Sequence, residues 1–151
     1  MTGAGVLLLD PKYDFNVAAA IRAAHVFGAD VLHWTGTRVP QGARLPREER
    51  MKLYRAVAWR NDRSARPLED SAFEGFTPVA VEVRDAAQPL DQFVHPERAL
   101  YVFGPEDGSI GQGVLAKCHR FVRIPTANRT PLNLGAAVNV VLYDRLVRSG
   151  F

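Results

Sequence analysis

Apolar and polar blocks alternate along the chain at strand and helix lengths. Val6–Leu9 is a continuous apolar run, the mark of a strand buried on both faces. Asn16–Phe27 carries alanines through its middle, has Asp14 or Asn16 available as a cap, and stops at Gly28, which predicts a helix. Val31–Trp34 is a second predicted strand, and Gly36 to Pro46 is a loop rich in Gly and Pro. Arg47–Trp59 is expected to be helical, with Met51, Tyr54, Val57 and Ala58 on one side. Strands are expected at Val79–Val83, Ala99–Phe103 and Phe121–Ile124, with Leu115–Lys117 in a short helix between the last two and Asn133–Arg148 as the closing helix. This order predicts an α/β fold, a mostly parallel sheet with helices on both faces.

The closing helix has two apolar stripes. Leu134, Val138, Val141 and Leu142 form one; Ala136, Val140, Tyr143 and Val147 form the other. One stripe can face the sheet, and the other needs a second surface, either a partner subunit or full enclosure, which a small domain rarely provides.

Composition narrows the class. The chain has 151 residues, 47% hydrophobic and 23% charged, which fits one globular domain over 1–151 with a real core. One cysteine, Cys118, excludes an internal disulfide framework and fits a reducing compartment; it reads as a small buried residue. No apolar run approaches the roughly 20 residues of a membrane span, and the first ten residues lack a basic leader, so a cytoplasmic location is expected. His25, His33, His95 and His119 are scattered without metal-ligand spacing, so no metal is expected. The net charge is +3, but residues 38–66 hold nine basic residues against three acidic ones. That segment is either an RNA-binding surface or a solvated face with local ion pairs. Trp34, Tyr54 and Trp59 are read as packing residues before base-stacking ones.

Three polar segments sit on apolar supports. Asn16-Val-Ala-Ala-Ala-Ile-Arg22 lies near the start, Phe103-Gly-Pro-Glu-Asp-Gly108 follows one predicted strand, and Ile124-Pro-Thr-Ala-Asn-Arg-Thr-Pro-Leu-Asn133 follows another. Open α/β sheets bind ligands at such strand ends.

Asn16-(x5)-Arg22 with Phe27-Gly28, then Phe103-Gly-Pro-Glu106-(x)-Gly108, then Ile124-Pro125 with Leu132-Asn133 and a helix ending in Tyr143-Asp144, resembles the three motifs of the SpoU (TrmH-like) branch of SPOUT RNA methyltransferases. The resemblance spans nearly the whole chain, in the family's minimal form. It implies a C-terminal trefoil knot, a homodimer, S-adenosylmethionine as cofactor, and methylation of a ribose 2′-hydroxyl in RNA, with tRNA the first expected substrate and rRNA the second. The rival reading is a non-catalytic RNA-binding protein that retains the SPOUT fold; a small-molecule nucleotide-binding domain is a further one.

By the same resemblance, Arg22 matches the catalytic arginine, and Asn16 and Glu106 its polar partners, while Asn133 matches the asparagine of the third motif. Guanidinium stays protonated in proteins, so Arg22 is better suited to gripping an RNA phosphate than to accepting a proton. Asn16 also fits a plain helix cap, Glu106 a turn residue, and Asn133 a cap of the closing helix. Gly104, Ile124 and Leu132 match cofactor-lining positions. Glu82 is a candidate acceptor for the cofactor's ribose hydroxyls, or a solvent-facing residue of an alternating run. Two positions depart from the family pattern: Ala18 stands for a glycine, and Pro131 stands for a serine whose contact is either lost or passed to Thr130.

Overall fold

The computed structural model describes residues 3–42, 57–84 and 86–149. In chain order the elements are β1 (Gly3–Leu8), α1 (Asp14–Val26), β2 (Val31–Thr35), β3 (Ala58–Asp62), β4 (Thr77–Val81), β5 (Gln88–Pro89), β6 (Arg98–Phe103), α2 (Gln112–Leu115), β7 (Arg120–Arg123) and α3 (Leu134–Ser149). Short 3₁₀ turns at Pro67–Glu69, Ser71–Phe73 and Leu90–Gln92 join them. The strands form one seven-stranded sheet in the order β3-β2-β1-β6-β4-β7-β5, every pair parallel.

Alternate strand residues feed two cores. Ala4, Val6 and Leu8 of β1 face α1 and α3 together with Leu32, Trp34, Tyr101 and Phe103. Leu7, Val31, Leu100 and Val102 face the other way, toward Phe73, Ile110, Leu115 and Cys118. The two long helices therefore share one face, and the second is covered by 3₁₀ turns and α2. Burial on both faces is why the central strands are apolar without alternation. Val138, Val141 and Leu142 of α3 are fully buried, each stabilising the fold by about 1.5–3 kcal/mol. Burial of Cys118 pushes its thiol up to about 11, so it stays protonated at neutral pH.

Several boundaries differ from expectation. The helix expected over Arg47–Trp59 lies mostly outside the described residues, but its end is overturned: Ala58–Asp62 is an edge strand paired with β2. Trp59 stacks on Trp34 with ring centroids 5.9 Å apart, so tertiary pairing outweighs the local helical pattern. Strands β3 and β5 add two to the five expected. β4 ends at Val81, which places Glu82 just past the strand. Helix α1 starts at Asp14 with Tyr13 as N-cap and no side-chain cap; neither Asp14 nor Asn16 serves, because both lie within the first turn of the helix, past the cap position.

Candidate active site

The three polar segments converge at the C-terminal ends of the central strands. β1 pairs with β6 from Gly3↔Arg98 to Leu8↔Phe103, so the chain leaving Leu8 and the chain leaving Phe103 emerge side by side. Leu9 N–H donates to the Phe103 carbonyl at 2.9 Å, extending that pairing into the loops.

Glu106 fastens the second segment to the first. Its Oε1 accepts the Lys12 N–H at 2.8 Å, and its Oε2 accepts the Tyr13 N–H at 3.1 Å and Asn16 Nδ2 at 2.8 Å. Burial alone would raise this carboxyl, but the Asn16 amide and the backbone N–H donors outweigh it and hold it below the ordinary value. Asn16 is 1% exposed, and its Oδ1 has no hydrogen-bond partner among the described residues. Such an acceptor is costly to leave buried and unmatched, and fits a site completed by a ligand.

The third segment joins them through α3. Asn133 Oδ1 accepts the Ala136 N–H at 3.1 Å and caps that helix. A Cβ on Gly135 would stand 2.8 Å from Ala19 Cβ, 3.2 Å from Asn133 Oδ1 and 3.5 Å from Asn16 Oδ1. Only a glycine lets α3 cross α1 this closely, and the crossing brings Asn16 and Asn133 to the same spot. Ile124 packs partly buried against the larger core, while Leu132 is exposed. Within this loop the Thr126 hydroxyl donates to the Asn128 carbonyl at 2.7 Å, and the Thr130 N–H donates to the same carbonyl at 2.7 Å.

Beside this cluster a cavity of about 260 Å³ opens, lined by Glu82, Val83, Arg84, Ser109, Ile110, Gln112 and Leu115. Glu82 Oε1 accepts the Ile110 N–H at 3.2 Å. A Cβ at Gly104 would lie 2.9 Å from Ile110 N and 3.0 Å from Ser109 C, so a side chain there would push the 109–110 loop away. Glu82 thus lines the cavity, and Gly104 packs behind the 109–110 loop that forms part of its wall. Its backbone groups and carboxylate suit a nucleoside with ribose hydroxyls to donate.

Arg22 lies six residues beyond Asn16 on the exposed side of α1. Asn16 and Glu106 hold one another and the helix start.

Sequence reasoning missed a clamp on the same loops. Arg38 donates from Nη1 to Asp107 Oδ2 at 2.7 Å and from Nη2 to Asp107 Oδ1 at 3.0 Å; Nη2 also reaches the Asp10 carbonyl at 2.6 Å. The hydrogen bond from Arg38 holds Asp107 below the ordinary carboxylate value. Asp10 adopts φ 46°, the left-handed region, which the clamp and the Asp10 N–H bond to Thr35 Oγ1 at 2.9 Å stabilise. Asp107 lies inside the second motif, whereas Arg38 stands in a basic segment whose sequence names no particular partner for it. Arg60 and Arg66 are likewise ion-paired, to Asp70 and Glu69. Arg44, Arg47, Arg50, Lys52 and Arg55 of the basic segment lie outside the described residues.

The fold is similar to solved structures whose sequences have diverged far. It matches the A. aeolicus TrmH/SpoU tRNA modifying enzyme with a TM-score of 0.83 at 16% identity, over 98% of this chain and 76% of that one. It matches a structure solved to explain the 2-OH methylation of C/U34 on tRNA with a TM-score of 0.81 at 24% identity, over 99% of each chain. It matches AviRb from Streptomyces viridochromogenes in complex with AdoMet with a TM-score of 0.85 at 19% identity, over 98% of this chain and 61% of that one. No curated protein sequence matches significantly. Three motif segments gathered at one end of a parallel sheet agree with a match of the SpoU rRNA Methylase family over residues 4–143, and the chain belongs to that family.

Proposed function

We propose that this protein transfers a methyl group from S-adenosylmethionine to a ribose 2′-hydroxyl in RNA, with tRNA the first candidate substrate and rRNA the second. Family membership supports the reaction class, and two structural relatives, one a tRNA modifying enzyme and one bound to AdoMet, support the substrate and cofactor. The observation that carries the reading is the Asn16–Glu106 hydrogen bond of 2.8 Å, which locks the first motif to the second beside the cavity.

The cofactor would be held by Glu82, by backbone around Gly104, and by the Ile124 and Leu132 side of the third loop. When bound, it supplies a methyl group already electrophilic on its sulfonium, so no metal is needed for transfer. Arg22, exposed on α1, grips an RNA phosphate bidentately and sets the ribose in line; the phosphate or a water takes the hydroxyl proton. Asn16, Glu106 and Asn133 position the loops that receive the nucleotide.

The protein acts as a homodimer with residues 1–151 as one domain, knotted near its C-terminus, in the cytoplasm. The dimer is supported by an apolar surface on α1 and α3. Phe15 is 57% exposed and Tyr143 55%, with Val26, Val140 and Val147 also open. Val140, Tyr143 and Val147 belong to the second stripe of α3, exposed although Tyr143 meets Phe27 edge to face with ring centroids 5.9 Å apart. Among the described residues no helix is long and apolar enough to cross a membrane.

Pro131 favours a second reading, an RNA-binding protein without catalysis, because Pro lacks the N–H and hydroxyl of the family serine and the Thr130 N–H is spent on Asn128. The test is transfer of labelled methyl from S-adenosylmethionine to bulk tRNA and rRNA, with calorimetric cofactor binding alongside. Transfer that Arg22→Ala lowers about 10³-fold while cofactor binding holds supports the enzyme and the role given to Arg22. RNA binding with neither cofactor binding nor transfer favours the second reading.

A further inference from the structure

His33 lies within β2 and faces the core on the side opposite α1 and α3, its ring 4.7 Å from that of Phe73. Asp62 ends the neighbouring edge strand β3, and Asp70 caps the Ser71–Phe73 turn beneath it. One ring nitrogen of His33 and one carboxylate oxygen from each of Asp62 and Asp70 all lie within 4.8 Å of one another. His33 is 4% exposed and Asp62 5%. His33 Nδ1 and Asp62 Oδ2 are both buried with no hydrogen-bond partner among the described residues. The other carboxylate oxygens are committed: Asp62 Oδ1 accepts the Ser64 N–H and Asp70 Oδ1 the Ala72 N–H, each at 2.9 Å.

A buried imidazole nitrogen and a buried carboxylate oxygen, neither with a partner among the described residues, belong to side chains whose ligand atoms cluster with one of Asp70, and such a cluster suits a cation. Nothing in the proposed methyl transfer uses these residues. We propose that His33, Asp62 and Asp70 bind one divalent cation of the zinc or manganese class, which fastens edge strand β3 and the 67–73 turns to the body of the sheet. One nitrogen and two oxygens suit such borderline metals, with water completing the shell. Zinc bonds of about 2.0–2.2 Å require the three side chains to close by roughly 1 Å, and Asp70, on a short surface turn, has room to do so.

Arg60 also belongs to the arrangement. It pairs with Asp70 through Nη2, and its side chain is half exposed. The guanidinium therefore competes with a metal for Asp70. The sequence spacing of His33, Asp62 and Asp70 hides the cluster, because parallel pairing of β2 with β3 and the return of the 67–73 segment create it.

The test titrates Zn2+ alone, then Mn2+ alone, into the tag-free, chelator-dialysed full chain by calorimetry, with thermal melting in parallel. One equivalent should bind and raise the melting temperature, and His33→Gln and Asp62→Asn should each weaken binding about tenfold or more. Asp70→Asn, at a more exposed position, serves if either core variant fails to fold. Arg60→Ala should tighten binding, a gain that a damaged fold cannot imitate. No stoichiometric binding overturns the proposal, as does binding indifferent to all three ligand substitutions or weakened by Arg60→Ala.

Discussion

The two poles of the sheet each carry a carboxylate-centred network, and the two are built for different ends. At the C-terminal ends of the strands, Glu106 bonds to backbone N–H groups and the Asn16 amide, and an acceptor of Asn16 remains unmatched. On the side facing the Leu90–Gln92 turn, Asp144 of α3 accepts from His95 Nε2 at 2.6 Å and from Arg148 Nη2 at 2.7 Å. His95 Nδ1 meets the Tyr101 hydroxyl at 2.6 Å, and Arg148 Nη2 also donates to the Leu90 carbonyl at 2.7 Å. The first network ties loop to loop and leaves a position for a ligand. The second ties helix to sheet through His95, Tyr101, Asp144 and Arg148, while the neighbouring Arg145 keeps a buried Nε with no hydrogen-bond partner among the described residues. A polar cluster that joins converging loops points to function; one that binds a helix to the sheet points to architecture.

Four substitutions or conditions break or sharpen this contrast, beginning with the largest effect. Asn16→Ala removes the bond that registers α1 on the Glu106 loop, and methyl transfer should fall about 10²-fold while RNA binding changes little. Transfer kinetics beside an RNA mobility shift measure this; unchanged transfer would show that the Asn16–Glu106 bond is dispensable. Gly104→Ala puts a Cβ against backbone at 2.9 Å, and should cost about 1–3 kcal/mol of stability and loosen the cofactor. Urea unfolding and cofactor titration read the two effects separately. Asp144→Asn should lower stability by about 1–3 kcal/mol while the turnover of the folded fraction is kept, the reverse of Asn16→Ala. Loss of turnover without loss of stability would erase the distinction between the poles.

The smallest effect is a pH dependence. Burial, opposed in part by Asp144 and reinforced by Arg148 and Arg145, holds His95 below its ordinary 6.5. The unfolded chain then takes up a proton before the folded one does, so stability is unaffected above 6.5 and declines as pH falls below it. Melting scans from pH 8 to about 5.5 should show this decline. His95→Gln should shallow it, leaving the share of His33, which burial also holds below 6.5, and an unchanged slope in that variant would assign the whole effect to another group. A separate loss belongs to more acidic pH, as Glu106 protonates below its ordinary carboxylate range.

Particular residues show what was legible in the chain. Ala99–Phe103 and Val31–Trp34 are strands because a buried parallel strand is apolar at every position, a pattern readable without neighbours. The closing helix was legible to within a residue at each end, and so was its second apolar stripe, whose Val140, Tyr143 and Val147 stay open on the surface. The edge strand Ala58–Asp62 was not legible, because its polar residues form a strand only by pairing with β2. Arg38 was not legible either: a charge bound to Asp10 and Asp107 cannot be told by sequence from one awaiting RNA.

By itself, then, the chain determined an apolar parallel sheet, the helices long enough to declare their own periodicity, and the motif residues that place it in a family. Those features are local, set by side-chain period and turn chemistry within a few residues. Only the tertiary structure decided that Asn16 meets Glu106, that Gly135 brings Asn133 beside them, and that His33 finds Asp62 and Asp70. Each of these joins residues far apart in the chain. Strand order and helix crossing bring them together, and neither is encoded at any single position.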